Sequence, residues 1–186
     1  MGGRVRGSRR RVRPATGAAS GRRPGAARGG TRVRTIQGRA SAAGRRIGIA
    51  VSRFNANVTA RLLDGALEAL GAHGAAPKDL TVVHVPGAFE LPLAAQRLAQ
   101  KGNLQAVICL GAVVRGETPH FEYVAAQAAE GIAAVSRACG LPVTFGVITA
   151  DTMEQAMARA GGGMGNKGYE AAVAALEMAD VLERIS

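Results

Sequence analysis

The sequence is poor in aromatic residues and in cysteine, and each shortage excludes a class of protein. Only 3% of the 186 residues are aromatic, none is tryptophan, and Cys109 and Cys139 are the two cysteines. Two cysteines without a CxxC motif or a nearby histidine are too few for a disulfide-stapled secreted domain and do not have metal-ligand spacing. No apolar run approaches the roughly 18 residues of a membrane-spanning helix. Because the N-terminus has no signal-peptide pattern, we expect a cytoplasmic protein without membrane or metal binding.

Acidic residues are absent from residues 1–32, which carry ten arginines and therefore almost all of the net charge of +11. This mixture of arginine, glycine, alanine, serine and proline cannot bury enough apolar surface to order itself. We therefore expect a disordered Arg-rich extension over residues 1–32 and one folded domain over residues 33–186.

Three interpretations of the extension remain open. In the first, it is a solvated segment without function, including the case in which translation begins further along the chain. In the second, it contacts RNA or a phosphorylated surface. In the third, it is an organelle transit peptide, although glycine and proline interrupt an amphipathic helix. The rest of the chain has 14 basic and 13 acidic residues. Nucleic acid is therefore expected only at the extension.

From residue 47 onward, short apolar runs rich in β-formers alternate with longer helical patterns. They predict strands over residues 47–52, 80–85, 105–114 and 142–149, and helices over residues 57–73, 89–101, 118–139, 151–160 and 166–185. Thr118 is expected to cap the third helix, with Pro119 at its first position, and Asp151 to open the fourth helix.

Strands that are apolar throughout and alternate with helices are typical of a parallel sheet that is covered on both faces. Right-handed crossovers then favour a flavodoxin-like three-layer α/β sandwich with a four-stranded parallel sheet in the order 2-1-3-4. An extended piece over residues 33–38 cannot reach far into this sheet without another crossover. We expect it to pair with the sheet edge of a neighbouring subunit.

Ligands bind beyond the carboxyl ends of the strands in such a sheet, and the residues there are unlike those of ordinary turns. Phe54 follows the first strand, Phe89 and Glu90 follow the second, His120 follows the third, and Phe145 lies along the fourth. A planar heterocycle can stack on a phenylalanine ring while a glutamate accepts hydrogen bonds from a polyol.

Residues 116–120 are the most specific local feature because they open a helix. The free N–H groups near Glu117 and Thr118, with the Thr118 hydroxyl, can bind an anion. The positive end of the helix disfavours the protonated form of His120, which favours a neutral base, whereas a bound phosphate favours the protonated form. The sequence does not decide between these influences. Further along, Arg159 and Lys167 flank a glycine-rich loop over residues 161–165 that matches neither a P-loop nor a dinucleotide fingerprint.

Five of these segments, in order and with matching spacing, resemble the 6,7-dimethyl-8-ribityllumazine synthase family of riboflavin biosynthesis. The likeness extends over about residues 33–182. The segments are Arg53-Phe54-Asn55, Pro86-Gly87-Ala88-Phe89-Glu90, Arg115-Gly116-Glu117-Thr118-Pro119-His120-Phe121-Glu122-Tyr123, Phe145-Gly146-Val147, and Arg159-Ala160-Gly161 followed by Gly165-Asn166-Lys167-Gly168.

The resemblance implies a transferase that uses no cofactor and no metal. It condenses 5-amino-6-(D-ribitylamino)uracil with 3,4-dihydroxy-2-butanone 4-phosphate and releases phosphate and water. The family forms pentamers or sixty-subunit shells with active sites between adjacent subunits. The short link over residues 161–165 lacks the extra residues associated with pentamer-only relatives, which favours a shell.

The resemblance also implies the roles of individual residues. His120 would transfer protons, oriented by Glu170. The implied substrate contacts are Phe54 on the pyrimidine ring; Ala88, Phe89 and Glu90 on the ribityl chain; the backbone of Ala112, Val113 and Val114 and the ring of Phe145 on the uracil; Glu117, Thr118 and Arg159 on the phosphate; and Lys167 on a substrate oxygen.

Two departures from the family affect the phosphate site. Gly163 stands where many relatives carry lysine, and Glu117 places a carboxylate beside the anion unless its side chain points away. Plainer interpretations also stay open: Glu90 as a helix cap, and Arg115 as a structural or inter-subunit ion-pair residue. Two rival functions are a carrier of a flavin or ribityl compound, which would not need His120, and nucleic-acid binding through the extension.

Overall fold

The structure, a computed structural model, describes residues 33–185. The chain divides into two units, residues 1–34 and residues 35–186. The predicted Arg-rich extension over residues 1–32 lies outside the described residues. The elements below belong to the second unit.

The second unit is a four-stranded parallel sheet with helices on both faces, which confirms the predicted α/β class and the strand order β2-β1-β3-β4. The strands are β1 (Ile47–Ser52), β2 (Leu80–Val85), β3 (Ala106–Val114) and β4 (Val143–Ala150). The helices are α1 (Ala56–Ala72), α2 (Leu91–Gln100), α3 (His120–Cys139), α4 (Met153–Ala158) and α5 (Lys167–Ile185).

The two faces of the sheet carry two apolar clusters because side chains alternate along each strand. Ile49 and Ile108 face α1 and α5, whereas Ala50 and Val107 face α2 and α3. All six residues of β1 are buried, as expected for a strand covered on both sides. None of the described helices is both long enough and apolar enough to cross a membrane.

Two predicted helix starts were wrong. Thr118 does not cap α3, which begins at His120, because the ψ angle of Pro119 is 2° and no side chain caps the helix. His120 is therefore the first helical residue. Asp151 does not open α4, because its carboxylate is bound by Arg115 at 2.8 Å, and the hydroxyl of Thr152 accepts the capping hydrogen bond instead.

The glycine-rich loop is a small hairpin rather than an irregular connection. Its strands are β5 (Ala160–Gly162) and β6 (Gly165–Asn166), which pair antiparallel. Gly161 and Gly165 have φ angles of 97° and 77°, a conformation that residues with a Cβ atom rarely adopt. The hairpin returns the chain from α4 to the start of α5.

The segment that precedes β1 is held against α5 by charged side chains. Arg45 Nη2 lies 2.7 Å from Glu183 Oε2 and 3.5 Å from Asp180 Oδ1. The backbone N–H of Arg39 donates to Asp180 Oδ2 at 2.9 Å, and this bond, together with the nearby guanidinium groups, lowers the pKa of Asp180. These contacts fix the direction in which the chain enters the sheet.

Helices α1 and α5 pack closely at a glycine. A Cβ atom on Gly168 would overlap the carbonyl oxygen of Leu62 in α1. Gly168→Ala is therefore expected to lower the free energy of unfolding by about 1–3 kcal/mol through overpacking.

Gly71→Ala is the matched control for Gly168→Ala. Gly71 is also helical, but a Cβ atom there meets no atom within 4 Å. Alanine should raise the free energy of unfolding by up to about 1 kcal/mol through helix propensity. Urea unfolding followed by circular dichroism measures both changes. Effects of the same sign and size would contradict the close approach of α1 and α5.

Candidate active site

A cavity of about 450 Å³ opens at the carboxyl ends of β1 and β3 and is completed by the turn after β2 and the first turns of α3. We name it the strand-tip cavity. Its volume is within the range of small-molecule sites. Nine of the predicted site residues line it: Phe54, Ala88, Phe89, Glu90, Ala112, Val113, Val114, Thr118 and His120.

Two exposed aromatic rings lie at this cavity. Phe54 is 71% exposed and Phe89 is 58% exposed, so neither ring contributes to the apolar core. The backbone N–H of Phe54 donates to the carbonyl of Pro86 at 3.0 Å, which ties the turn after β1 to the turn after β2. Two exposed rings beside an apolar cavity are suited to stacking on a flat ligand.

The carboxylate of Glu90 has a role within its own turn. Residues Ala88–Glu90 form a 3-10 turn before α2, and Glu90 Oε2 accepts a hydrogen bond from the backbone N–H of Gly87 at 2.8 Å. Among residues 33–185, nothing donates to Oε1 of Glu90. One carboxylate oxygen of Glu90 therefore has the predicted capping role, and the other oxygen is available to a ligand.

The segment between β3 and α3 presents unpaired donors. Within the described part of the chain, no group accepts a hydrogen bond from the backbone N–H of Gly116, Glu117 or Thr118. Such consecutive free donors next to a helix N-terminus favour an anion. Thr118 and His120 line the cavity, whereas the exposed side chain of Glu117 does not.

Arg115 binds protein carboxylates rather than facing the cavity. Its Nε lies 2.8 Å from Asp151 Oδ1 and its Nη1 lies 3.4 Å from Glu122 Oε1. These hydrogen bonds, with Asp151 first, raise the pKa of Arg115. The guanidinium also lies 4.5 Å from the centre of the Phe121 ring. Arg115 therefore links the start of α3 to the end of β4, in keeping with the ion-pair interpretation.

A second cavity of about 530 Å³ runs along β4, which is an edge strand of the sheet. We name it the edge cavity. The predicted residues Phe145, Arg159 and Lys167 line it, together with Glu170. The backbone N–H of Lys167 donates to the carbonyl of Arg159 at 2.9 Å, so the hairpin brings these two cations to one place.

The charged side chains of the edge cavity have partners in the same chain. Lys167 Nζ lies 2.6 Å from Glu170 Oε2, and Arg159 Nη1 donates to the carbonyl of Gln155 at 3.0 Å. Glu170 therefore binds Lys167 within one chain, and not the imidazole that it was expected to orient.

Twelve of the thirteen predicted site residues thus divide between two cavities, and Glu117 lines neither. Phe145 is opposite Cys109 in the middle of β3, whereas the strand-tip cavity begins at Ala112, which is opposite Ile148. This register separates Phe145 from the strand tips by three residues. A single chain therefore brings Phe54 together with His120 but leaves Arg159 in the other cavity.

Four residues that line the strand-tip cavity were not predicted as site residues: Gly87, Gly116, Phe121 and Val124. The sequence contains a signal for two of these four residues. Phe121 follows His120 directly, and Val124 is four residues after it, on the same face of a helix. The two glycines carry no side chain that could have indicated a contact.

Neither cysteine has the setting of a catalytic thiol or of a metal ligand. Cys109 is buried in β3, and this burial raises the pKa of its thiol to about 12. Within residues 33–185 there is no group of three or more histidine, cysteine, aspartate or glutamate side chains that could hold a metal ion. Two ionisable side chains line the strand-tip cavity, Glu90 and His120, and His120 is two residues from Thr118.

Comparison with known proteins relates this chain to one enzyme family. A model of the 6,7-dimethyl-8-ribityllumazine synthase family matches residues 44–183. A 6,7-dimethyl-8-ribityllumazine synthase of Syntrophus aciditrophicus (strain SB) is 58% identical over 149 residues, which cover 80% of this chain and 97% of that protein. The residues matched by the family model include both cavities and end two residues before the last residue of α5.

Proposed function

This chain belongs to the 6,7-dimethyl-8-ribityllumazine synthase family, and we propose how its residues and its assembly carry out the reaction of this family. The enzyme is a transferase of riboflavin biosynthesis. It condenses 5-amino-6-(D-ribitylamino)uracil with 3,4-dihydroxy-2-butanone 4-phosphate and releases phosphate and water. The single observation that carries the proposed site is that Phe54, Thr118 and His120 line one cavity at the strand tips, next to a segment whose N–H groups from Gly116 to Thr118 are free within the described residues.

The reaction requires proton transfers but no protein nucleophile. The amine attacks the ketone to give a carbinolamine, loss of water gives an imine, and β-elimination expels phosphate. Ring closure and loss of a second water complete the product. Holding the two substrates side by side can contribute about 7–11 kcal/mol to lowering the barrier.

The pyrimidine substrate is proposed to occupy the strand-tip cavity. Its ring would stack on Phe54, and the backbone of residues 112–114 would bind the uracil edge. The ribityl chain would follow Ala88 and Phe89, with its hydroxyls donating to Glu90. Supporting this, the Phe54 ring is exposed at the cavity and one oxygen of Glu90 has no donor within residues 33–185.

The phosphate of the second substrate is proposed to bind at the start of α3. The N–H groups of Glu117 and Thr118 and the Thr118 hydroxyl would donate to it, while the carboxylate of Glu117 stays outside the cavity. Arg159 would add a bidentate contact. Lys167 would contact a substrate oxygen, and Phe145 would close the uracil side.

Because Arg159, Lys167 and Phe145 line the edge cavity, we propose that one copy's edge cavity faces another copy's strand-tip cavity. The same arrangement would bring Glu170 of one copy to His120 of another. It requires a homo-oligomer, for which we propose the pentamer or the sixty-subunit shell of the family, in the cytoplasm. Residues 33–38 form no strand in the single chain, and we propose that they pair with the sheet edge of a neighbour.

The division of the chain into an Arg-rich extension over residues 1–32 and a synthase domain over residues 33–186 is also a proposal. Deleting residues 1–32 tests it. The shortened protein should keep full synthase activity, and light scattering should report whether its assembly is unchanged. Salt-sensitive RNA binding that disappears with the deletion would identify a second role of the extension.

The reaction itself is tested by mixing the purified protein with the two substrates and recording the absorbance and fluorescence of the lumazine product. A carrier of a ribityl compound would bind the pyrimidine and the product without accelerating the condensation. Product formation at the uncatalysed rate would therefore favour the carrier function.

Replacing His120 with alanine should slow turnover without abolishing it. One acid–base group contributes about 10²–10⁴-fold, and the bound substrates keep the advantage of proximity. His84→Ala is the matched control, because His84 is an exposed residue of β2 outside both cavities. Steady-state kinetics measure both variants. Unchanged turnover of His120→Ala would remove this residue from the mechanism.

Oligomers assembled from His120→Ala and Arg159→Ala chains should recover activity. If each site draws the two residues from different copies, random mixing makes about one quarter of the sites complete. The measurement compares kcat of the co-refolded mixture with the mean of the two variants alone. A site formed within one chain predicts no recovery, since no chain then carries both residues.

A further inference from the structure

Asn55 has a backbone conformation that sets it apart from the other described residues. Its φ and ψ angles are 58° and 47°, and within residues 33–185 it is the one non-glycine residue with positive φ. Asparagine tolerates this left-handed region better than most residues, although glycine is the usual choice. A non-glycine residue there indicates that its side chain is required.

The side chain of Asn55 bonds to a strand that lines the strand-tip cavity. The parallel ladder between β1 and β3 ends at the pair Val51 and Leu110. Beyond that point, Asn55 Nδ2 donates to the carbonyl oxygen of Ala112 at 3.0 Å. The amide therefore supplies the next donor to β3 after the backbone of β1 has turned away.

The turn that contains Asn55 is also hydrogen-bonded to the end of β2 and to the first turn of α1. The N–H groups of Arg53 and Phe54 donate to the carbonyls of Val85 and Pro86. The carbonyl of Asn55 accepts from the first turn of α1. Phe54 consequently lies in a turn that is bonded both to the end of β2 and to the end of β3.

We propose that Asn55 is a positioning residue for the pyrimidine substrate. Its left-handed conformation directs the chain so that the Phe54 ring stays exposed at the cavity, and its amide fixes the Ala112 carbonyl at the opposite wall. This inference rests on the proposed function, because it assumes that the pyrimidine lies between Phe54 and residues 112–114. The phosphate donors of the other substrate belong to the segment before α3 and do not depend on this bond.

Asn55→Gly separates the two contributions of the residue. Glycine adopts the left-handed conformation readily but has no amide to bond Ala112. We expect the KM for the ribitylaminouracil to rise about tenfold through the lost hydrogen bond, while the KM for the butanone phosphate stays within about twofold. The melting temperature should fall by no more than a few degrees, as expected for the loss of one hydrogen bond. A purely structural role would instead raise both KM values together.

Asn55→Asp tests the same bond with a side chain of similar size that tolerates the same conformation. It places a carboxylate oxygen against the Ala112 carbonyl, so the KM for the pyrimidine should rise at least as much as in Asn55→Gly. Asn57→Ala, an exposed asparagine two residues further on, is the matched control and should behave as the unsubstituted protein.

Phe54→Ala distinguishes failure of this inference from failure of the proposed site. If Phe54→Ala raises the KM for the pyrimidine and the two Asn55 variants do not, the positioning role is wrong and the proposed site stands. If none of the three raises it, the pyrimidine does not bind at the strand tips. Failure of both Asn55 variants to fold would also overturn the inference, since the residue would then serve the fold alone.

Discussion

The parallel pairing of β1 with β2 and β3 is the constraint on which the candidate site depends. It brings the carboxyl ends of these three strands to one edge of the sheet, where the backbone must leave the ladder and its turns become free to carry function. The strands themselves contribute apolar packing, while Phe54, the turn before α2 and the segment before α3 line the strand-tip cavity that we propose as the active site. A change of register between β1 and β3 would separate these groups even if every side chain were kept.

The chemistry that this edge supports uses few groups. Free N–H donors at the start of α3 can hold a phosphate without a compensating lysine nearby, since helix N-termini favour anions. His120 stands among those donors and can move protons in a reaction that needs no covalent intermediate. Arg115, which the sequence places in the same segment, is bound by Asp151 and Glu122. It therefore links the start of α3 to the residue after β4.

Much of this arrangement could be predicted from the sequence because its signals are local. Apolar runs of strand length and helical periodicity predicted the strands and helices, and the right-handed crossover rule predicted the order of the sheet. The roles of the residues at the strand tips came from the family resemblance. Two helix starts were not predictable because they depend on neighbouring groups. Asp151 does not open α4 because Arg115 binds its carboxylate. Thr118 does not cap α3 because Pro119 has a non-helical ψ angle. The position of Phe145 away from the strand tips follows from the β3–β4 register, which no single strand pattern contains.

We propose that the pyrimidine ring stacks on Phe54 in the cavity that His120 also lines. A crystal structure of the protein with bound 5-amino-6-(D-ribitylamino)uracil is the sharpest test of this position. The ring should be in van der Waals contact with Phe54, against the backbone of residues 112–114, with the edge cavity of a second copy closing over it. A pyrimidine bound elsewhere, with Phe54 and His120 both left in solvent, would show that the strand-tip cavity is not the site.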